Sequence, residues 1–478
     1  MSLNAALLAA TSGLNAASRG AAVVADNIAN SATEGFGPRR LALSSTVLGG
    51  AGVGVTVAGV QRQENAALTA SLRAASADDS AARTLRDHWA GMEALVGAGD
   101  APGGLSARVD ALGTALAHAA AHSESTTRLD QVAAAARALT GTLARIETGI
   151  TEARAAADRS IARDVEALNT GLRRVEALNA EITRQQIAGS DPNGLMDERA
   201  RIIDGLAALV PLRVMPGDHG AVRLITDGGA VLLGSRAAEI GFDPAPGVAP
   251  GDDTASGVLS GLTVNGRAVD TGPRGPLAGG SLGVAFDIRD RYAPTMQAGL
   301  DRLAADLVAR FADPATDPTL SMGAPGLFAD PDPGAGIVGL AGRLHLNPLA
   351  DPEAGGALWR LRSGLGAPVP GPVGDPARLD AMAQALDRPT ALAPGMAAGG
   401  LAAHAADLGA EVGAALHRAE AQQTFTAAAR AQLADARAAA GVDTDAELQT
   451  LLTIEAAYAA NARVMRAVDD MLRRLMEI

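Results

Sequence analysis

The sequence predicts a mainly α protein: a long helical bundle or coiled-coil rod formed by both termini and the middle, with a small inserted β-rich domain. Three observations carry this. Apolar residues near both ends recur at alternating spacings of three and four, the stretch 123–188 contains no proline, and beyond Pro211 the apolar period falls from 3.6 to 2.

In 443–478 the positions Leu451, Ile454, Tyr458, Asn461, Met465, Val468, Leu472 and Leu475 form a heptad seam in which Asn461 is the polar member. Asp443 or Thr444 can accept from the first-turn amides, and Glu447 follows within a turn. A helix of about 34 residues spans roughly 50 Å at 1.5 Å per residue, so this stripe needs another helix to cover it. The stretch near the other end offers one. Leu3, Leu7, Ala10, Leu14, Ala17, Ala21, Val24 and Ile28 follow the same alternation, and their small side chains let two axes approach closely. The expected assembly interface is therefore Leu3, Leu7, Leu14, Val24 and Ile28 with Leu451, Ile454, Tyr458, Met465, Val468, Leu472 and Leu475. The competing reading makes each an ordinary core helix.

After the first helix, 26–38 reads as a capped helix end and a turn. Asn30 or Gly35 can take the left-handed conformation, and Gly37-Pro38 prevents the helix restarting.

These residues also carry a resemblance. The run Ser12-Gly13-Leu14-Asn15-Ala16, then Asn27-Ile28-Ala29-Asn30, Thr33 and Gly35-Phe36, resembles the N-terminal motif of bacterial flagellar axial proteins, the family of rod, hook and hook-filament junction. Asn27, Asn30, Gly35 and Phe36 are its motif residues here. Glu455-Ala456-Ala457-Tyr458-Ala459-Ala460-Asn461, with Asp469-Asp470-Met471-Leu472, is similar to the closing helix of the same families. The chain departs from the usual pattern at Asp26, Phe36 and Gly37-Pro38. Further in, Leu178-Asn179, Glu181-Ile182, the break at 189–194, then Leu195, Asp197 and Arg199 resemble the hook-associated protein 1 family of hook-filament junction proteins. In purely physical terms Asn193-Gly194 closes a helix-helix turn, with Asp197, Glu198 and Arg199 capping and complementing the first turn of the next helix.

Composition bounds the remaining classes. At 478 residues, about three domains are expected. The expected division is a terminal coiled coil (1–32 with 443–478), a helical rod (33–212 with 284–442) and an inserted β-rich outer domain (213–283). The formal net charge is −13 and every basic residue is Arg. Two Trp and two Tyr in an acidic chain do not make the basic, stacking surface that nucleic acid requires. The absence of Cys excludes disulfides and thiolate chemistry. No apolar run reaches the ~18 residues of a membrane span, and the first residues lack the basic region of a cleaved secretory signal.

Taken in order, 41–61 reads as a short extended or hairpin connection whose Gly49–Gly54 cluster lacks the Lys-Ser/Thr of a phosphate loop. Helices follow over 62–96 and 105–122. The run 123–188 reads as one very long helix or two stacked end to end, with Gly141, Gly149 and Gly171 weakening its continuity. Short strands are expected at 222–225, 230–233 and 262–264, the last joined through Asn265-Gly266 to 267–269. A helix from about 286 to 311 precedes a Pro- and Gly-rich irregular region to 376, which holds a short strand at 343–347. Helices return at 377–386 and 398–440.

Several constellations fail as catalytic or ligand sites. Gly334 to Gly339 fits GxGxxG but follows Asp330-Pro331-Asp332-Pro333 and no strand. His118 and His122 have metal spacing without a third ligand nearby. Asp313, Asp317, Asp330 and Asp332 miss the EF-hand spacing, leaving open whether this loop binds an ion. His219 has no nucleophile-and-acid set around it. No catalytic residue, metal site or cofactor is expected. The resemblance implies a non-enzymatic structural component that joins hook to filament as a ring of copies, exported by the flagellar type III apparatus without cleavage. It implies as partners further copies of itself, the hook protein, the second junction protein and a cytoplasmic export chaperone, and no nucleic acid or membrane. Alternatives are a hook or distal-rod protein, a secreted helical-bundle adhesin, or an appendage-borne enzyme.

Overall fold

The computed structural model describes residues 3–33, 35–48, 51–97 and 103–476. Helix α1 (Leu3–Ala29) leads into a hairpin of β1 (Arg39–Leu48) and β2 (Ala51–Arg62), antiparallel throughout. The expected short connection at 41–61 is thus a ribbon of ten- and twelve-residue strands. Of its glycine cluster, Gly49 and Gly50 lie outside the described residues.

Helix α2 (Ala66–Val96) begins at Asn65, whose side chain accepts from the Leu68 amide. After α3 (Leu105–Ala121), Ser125 caps α4 (Thr126–Ile187) in the same way through Arg128. Helix α4 is one uninterrupted helix of 62 residues, roughly 90 Å long. Two of its three glycines explain why it tolerates them. A Cβ at Gly149 would sit 2.3 Å from Leu95 Cδ1, and one at Gly171 2.6 Å from Leu206 Cδ2, so both are notches that admit a neighbour's leucine.

Helix α5 (Asn193–Leu209) returns along α4 and opens the β-rich segment. β3 (Leu212–Pro216), β4 (Val222–Thr226) and β5 (Val231–Leu233) form one antiparallel sheet in that order. β6 (Ile240–Gly241), β7 (Leu262–Val264) and β8 (Arg267–Val269) form a second. Between β7 and β8, Asn265 (φ 51°) and Gly266 (φ 76°) both occupy the left-handed region that a two-residue hairpin turn demands. The segment does not close a core by itself. Leu224, Leu232, Ile240 and Leu262 share one buried cluster with Leu168, Leu172 and Val175 of α4.

The return helix starts earlier than expected and is not regular: α6 (Gly280–Asp287) passes through a π-helical turn, Ile288–Tyr292, into α7 (Ala293–Ala312). Arg289 sits in this turn. Its fully buried guanidinium donates to Asp158 at 2.7 Å, Asp290 at 2.8 Å and the Ser260 carbonyl at 2.8 Å, and lies over the rings of Phe242 and Phe286. The wider turn aims this side chain from the helix into the β-rich segment.

The Pro- and Gly-rich region contains β9 (Phe328–Ala329), α8 (Leu340–Arg343), β10 (His345–Leu346) and α9 (Trp359–Ser363), and β9 pairs antiparallel with β10. Helices α10 (Ala377–Asp387), α11 (Leu401–Ala439) and α12 (Thr444–Met476) complete the chain. Buried Arg310 fixes this region: it pairs with Asp306 at 2.6 Å and donates to the carbonyls of Ala385 at 2.7 Å and Gly399 at 3.0 Å. A second core joins α3, the first half of α4 and α7 through Leu112, Leu143, Ile150, Leu300 and Leu307.

Candidate assembly interface

Helices α1 and α12 lie against each other in antiparallel register. Asn27 Nδ2 donates to Glu447 Oε1 at 2.9 Å, Gly20 faces Ile454, Gly13 faces Asn461, and Thr11 Oγ1 meets Met465 Sδ at 3.8 Å. The first three pairings step by one heptad on each helix, which is the repeat of a coiled coil. A Cβ at Gly13 would fall 2.6 Å from Asn461 Nδ2, and one at Gly20 3.1 Å from Ile454 Cδ1. The side chains of Asn461 and Ile454 therefore sit over the two glycines, in space that a Cβ would contest.

The expected seam is rotated in the structure. Ala10, Ala17 and Val24 of that seam are buried, but Leu3, Leu7, Leu14 and Ile28 are half-buried, because the covered face also takes in Ala16, Gly20 and Asn27. The hairpin is the reason. It covers a second side of α1, where the Val55 amide donates to Ser12 Oγ at 3.1 Å, and a Cβ at Gly54 would lie 3.1 Å from the Ala9 Cα. On α12, Val468 is buried, whereas Leu451, Ile454, Met465 and Leu472 are half-buried. Tyr458 and Leu475 remain 50% and 60% exposed, and Leu452, Val464 and Met471 beside them are also exposed. One partner helix leaves much of the apolar surface of α12 open to water.

The motif residues organise the base of this pair. Asn27 is fully buried; its Oδ1 accepts from the Arg39 amide at 3.0 Å and its Nδ2 donates to the Arg39 carbonyl at 2.9 Å as well as to Glu447. A single amide side chain therefore ties α1, β1 and α12, and only a group with both a donor and an acceptor can do so. Asn30 Nδ2 donates to the Asp26 carbonyl and carboxylate, each at 2.9 Å, closing the helix end. Gly35 takes φ 82°, and Phe36 lies under the Arg39 guanidinium at 4.7 Å. Asp26, one of the departures from the motif, is an ion-pair partner of Arg39.

Asp197 does not cap α5. Its Oδ1 accepts from the Gly37 amide at 3.1 Å and from Arg62 Nε at 2.7 Å, and its Oδ2 from Arg39 at 3.1 Å. Burial opposes the charge on Arg62, but Glu64 and Asp197 outweigh it and hold that guanidinium above its usual range. Arg199 also turns away from the first turn of α5. It donates to Asn179 Oδ1 and the Gly220 carbonyl, both at 2.7 Å, and burial pushes its pKa down to about 10. Asn179 in turn bonds both backbone groups of Val222 on β4. The segment 178–199 thus fastens the hairpin on one side and the β-rich segment on the other. Side chains that bridge elements distant in sequence leave no local periodic signal, which is why helix capping was the expected role.

His118 and His122 are exposed at the end of α3, and the loop constellations resolve as internal structure. The Gly339 and Ala341 amides donate to buried Asp301 at 2.9 and 3.0 Å, so the glycine-rich loop already holds a carboxylate of its own chain. Asp313 accepts from Arg388 and the Ala315 amide, and Asp317 from Thr319 and the Leu365 amide. Arg343 holds the Asp330 carboxyl below the usual range. Among the described residues no three or more His, Cys, Asp or Glu converge as metal ligands, and no helix is long and apolar enough to cross a membrane.

Comparison with known proteins adds three family matches. Residues 90–317 match the flagellar hook-associated protein FlgK helical domain, 438–478 the C-terminal region of flagellar basal body rod FlgEFG proteins, and 7–36 the flagella basal body rod proteins. Flagellar hook-associated protein 1 of Salmonella typhimurium is 27% identical over 243 residues, covering 49% of this chain and 44% of that protein. The Escherichia coli protein of the same name is 24% identical over the same shares. The chain thus aligns with less than half the length of these curated relatives. The flagellar hook junction protein FlgK of Burkholderia pseudomallei superposes with a TM-score of 0.46 at 20% identity, over 55% of this chain and 46% of that one.

Proposed function

We infer that this chain, a member of the flagellar hook-associated protein 1 family, is a structural subunit that joins hook to filament by assembling into a ring through its terminal helices. The observation that carries the reading is the half-covered surface of α12. Helix α1 takes one face, and Tyr458, Val464, Met471 and Leu475 stay open beside it. Fully burying a large apolar side chain is worth roughly 1.5 to 3 kcal/mol, so neighbouring copies that cover this surface stabilise one another. The long rod and the β-rich segment then keep a fixed relation to that ring, held by Asn27, Asp197 and Asn179. Hook protein and the second junction protein are the neighbours on either side, and an export chaperone covers 443–478 before assembly. The subunit reaches the flagellum through the type III apparatus, uncleaved. It performs no catalysis.

The test is Met471→Asp, at one of these open positions. The variant should fail to enter hook-basal bodies, read by immunoblot of the purified structures, while its circular dichroism stays that of the wild type. Incorporation at wild-type level would overturn the reading. A hook or distal-rod position remains the second reading, because the terminal matches at 7–36 and 438–478 are to rod-type families.

A further inference from the structure

Where the terminal pair meets the rod, a cleft of about 720 Å³ opens between the turn after α1, helices α2, α5 and α11, and the joint before α12. Its walls reverse the character of the chain. Five arginines, Arg73, Arg83, Arg201, Arg430 and Arg437, face two carboxylates, Asp79 and Asp204, in a protein whose formal net charge is −13. Asp204 is satisfied: Arg73 donates to it at 2.6 Å and Arg437 at 2.8 Å.

Two groups are not. Asp79 is 2% exposed; its Oδ2 accepts from Arg83 at 2.7 Å and lies 3.6 Å from Arg430, but its Oδ1 is buried with no hydrogen-bond partner. A buried acceptor without a donor is costly, on the order of 1–3 kcal/mol or more for a charged group. Arg201 lines the same cleft, is exposed, and makes no ion pair among the described residues. Among the described residues, the cleft therefore lacks one donor, at Asp79, and one acceptor or anion, at Arg201.

We propose that this cleft binds an extended acidic segment presented by a second copy of this chain. A peptide carries both missing kinds of group, a backbone N–H for Asp79 and a side-chain carboxylate for Arg201, whereas sulfate offers only acceptors and phosphate brings its anionic charge against the Asp79 carboxylate. A second copy is the source because the chain carries 53 acidic against 40 basic residues, so its other surfaces complement this cationic cleft. The inference rests on the reading that copies assemble side by side, which raises their effective concentration at this joint. It adds a polar contact at the base of the terminal pair to the apolar one along α12.

The experiment uses the purified full chain. Sedimentation velocity at low salt compares wild type with Arg201→Glu, an exposed substitution that breaks no internal pair. Self-association should weaken about tenfold or more, as loss of a close charge pair at an interface does. In parallel, Ser76→Cys places a single thiol in a chain without cysteine. A benzophenone maleimide attached there, in a mixture of isotopically light and heavy chains, should crosslink to an Asp- or Glu-bearing segment of another copy. Association of Arg201→Glu within twofold of wild type, a wild-type chain that stays monomeric at every concentration, or crosslinks confined to one copy would each overturn the proposal. Met471→Asp separates the two readings. If it associates normally while Arg201→Glu does not, the cleft contact stands and the terminal-helix contact falls; the reverse pattern removes the cleft alone.

Discussion

His88 shows how a single buried group sets a property of the whole rod. It lies on α2 edge-on to Trp89, 5.0 Å between ring centroids, with Nε2 buried and unpartnered. Burial lowers its pKa to about 4, against 6.5 for the free side chain. The folded state thus binds this proton less readily than the unfolded state does. The stabilising contribution is complete above pH 6.5 and is lost as pH falls from there through the folded value near 4. At 1.36 kcal/mol per unit, the full shift is worth roughly 3 kcal/mol, of which about 2 kcal/mol is lost between pH 7 and pH 5. In urea unfolding at those two pH values, His88→Phe should therefore show a drop in stability about 2 kcal/mol smaller than wild type. Equal drops would mean that His88 is protonated in the folded protein at pH 5.

Between elements, the decisive contacts are polar and few. Asp197 joins α5 to the Gly37 amide, Arg39 and Arg62, and through Arg39 to Asp26 on α1. Asp197→Asn removes the charge while keeping the size, and leaves one or more half-buried guanidinium donors unsatisfied at roughly 1–3 kcal/mol. Hydrogen exchange should speed up across the hairpin and the lower end of α1, while the amides of α4 keep their protection. Unchanged exchange in the hairpin would show that α1 and β2 hold it without this joint. These joints also mark the limit of what the sequence discloses. The helices were legible because a 3.6-residue period and the absence of proline are local, and the β7–β8 turn because Asn265-Gly266 suits two left-handed residues in succession. The notches at Gly149 and Gly171 were not, since they depend on Leu95 and Leu206 arriving from other helices. Nor was the rotation of the α1 seam, which follows from a hairpin covering a second face. Gly13 and Gly20, one heptad apart and aligned with Asn27, were the available signal.

At the scale of the molecule, the chain divides its stabilising interactions between a rod that is complete and ends that are not. One face of helix α4 is buried along its length by α3, α5, α7 and the β-rich segment, whose apolar residues share its two cores. The terminal pair has no such enclosure, and its open apolar face together with the cationic cleft at its base suits a subunit finished by its neighbours. This asymmetry is what the proposed assembly requires: a rod to set distances and ends to make the contacts.

The proposed junction role is tested most directly by electron microscopy of cells lacking the gene, with an immunoblot of the medium for flagellin. The account predicts complete hooks that carry no filament and flagellin released to the medium. Absent hooks would move the subunit down the axis to the rod or hook, and normal filaments would contradict the junction role altogether.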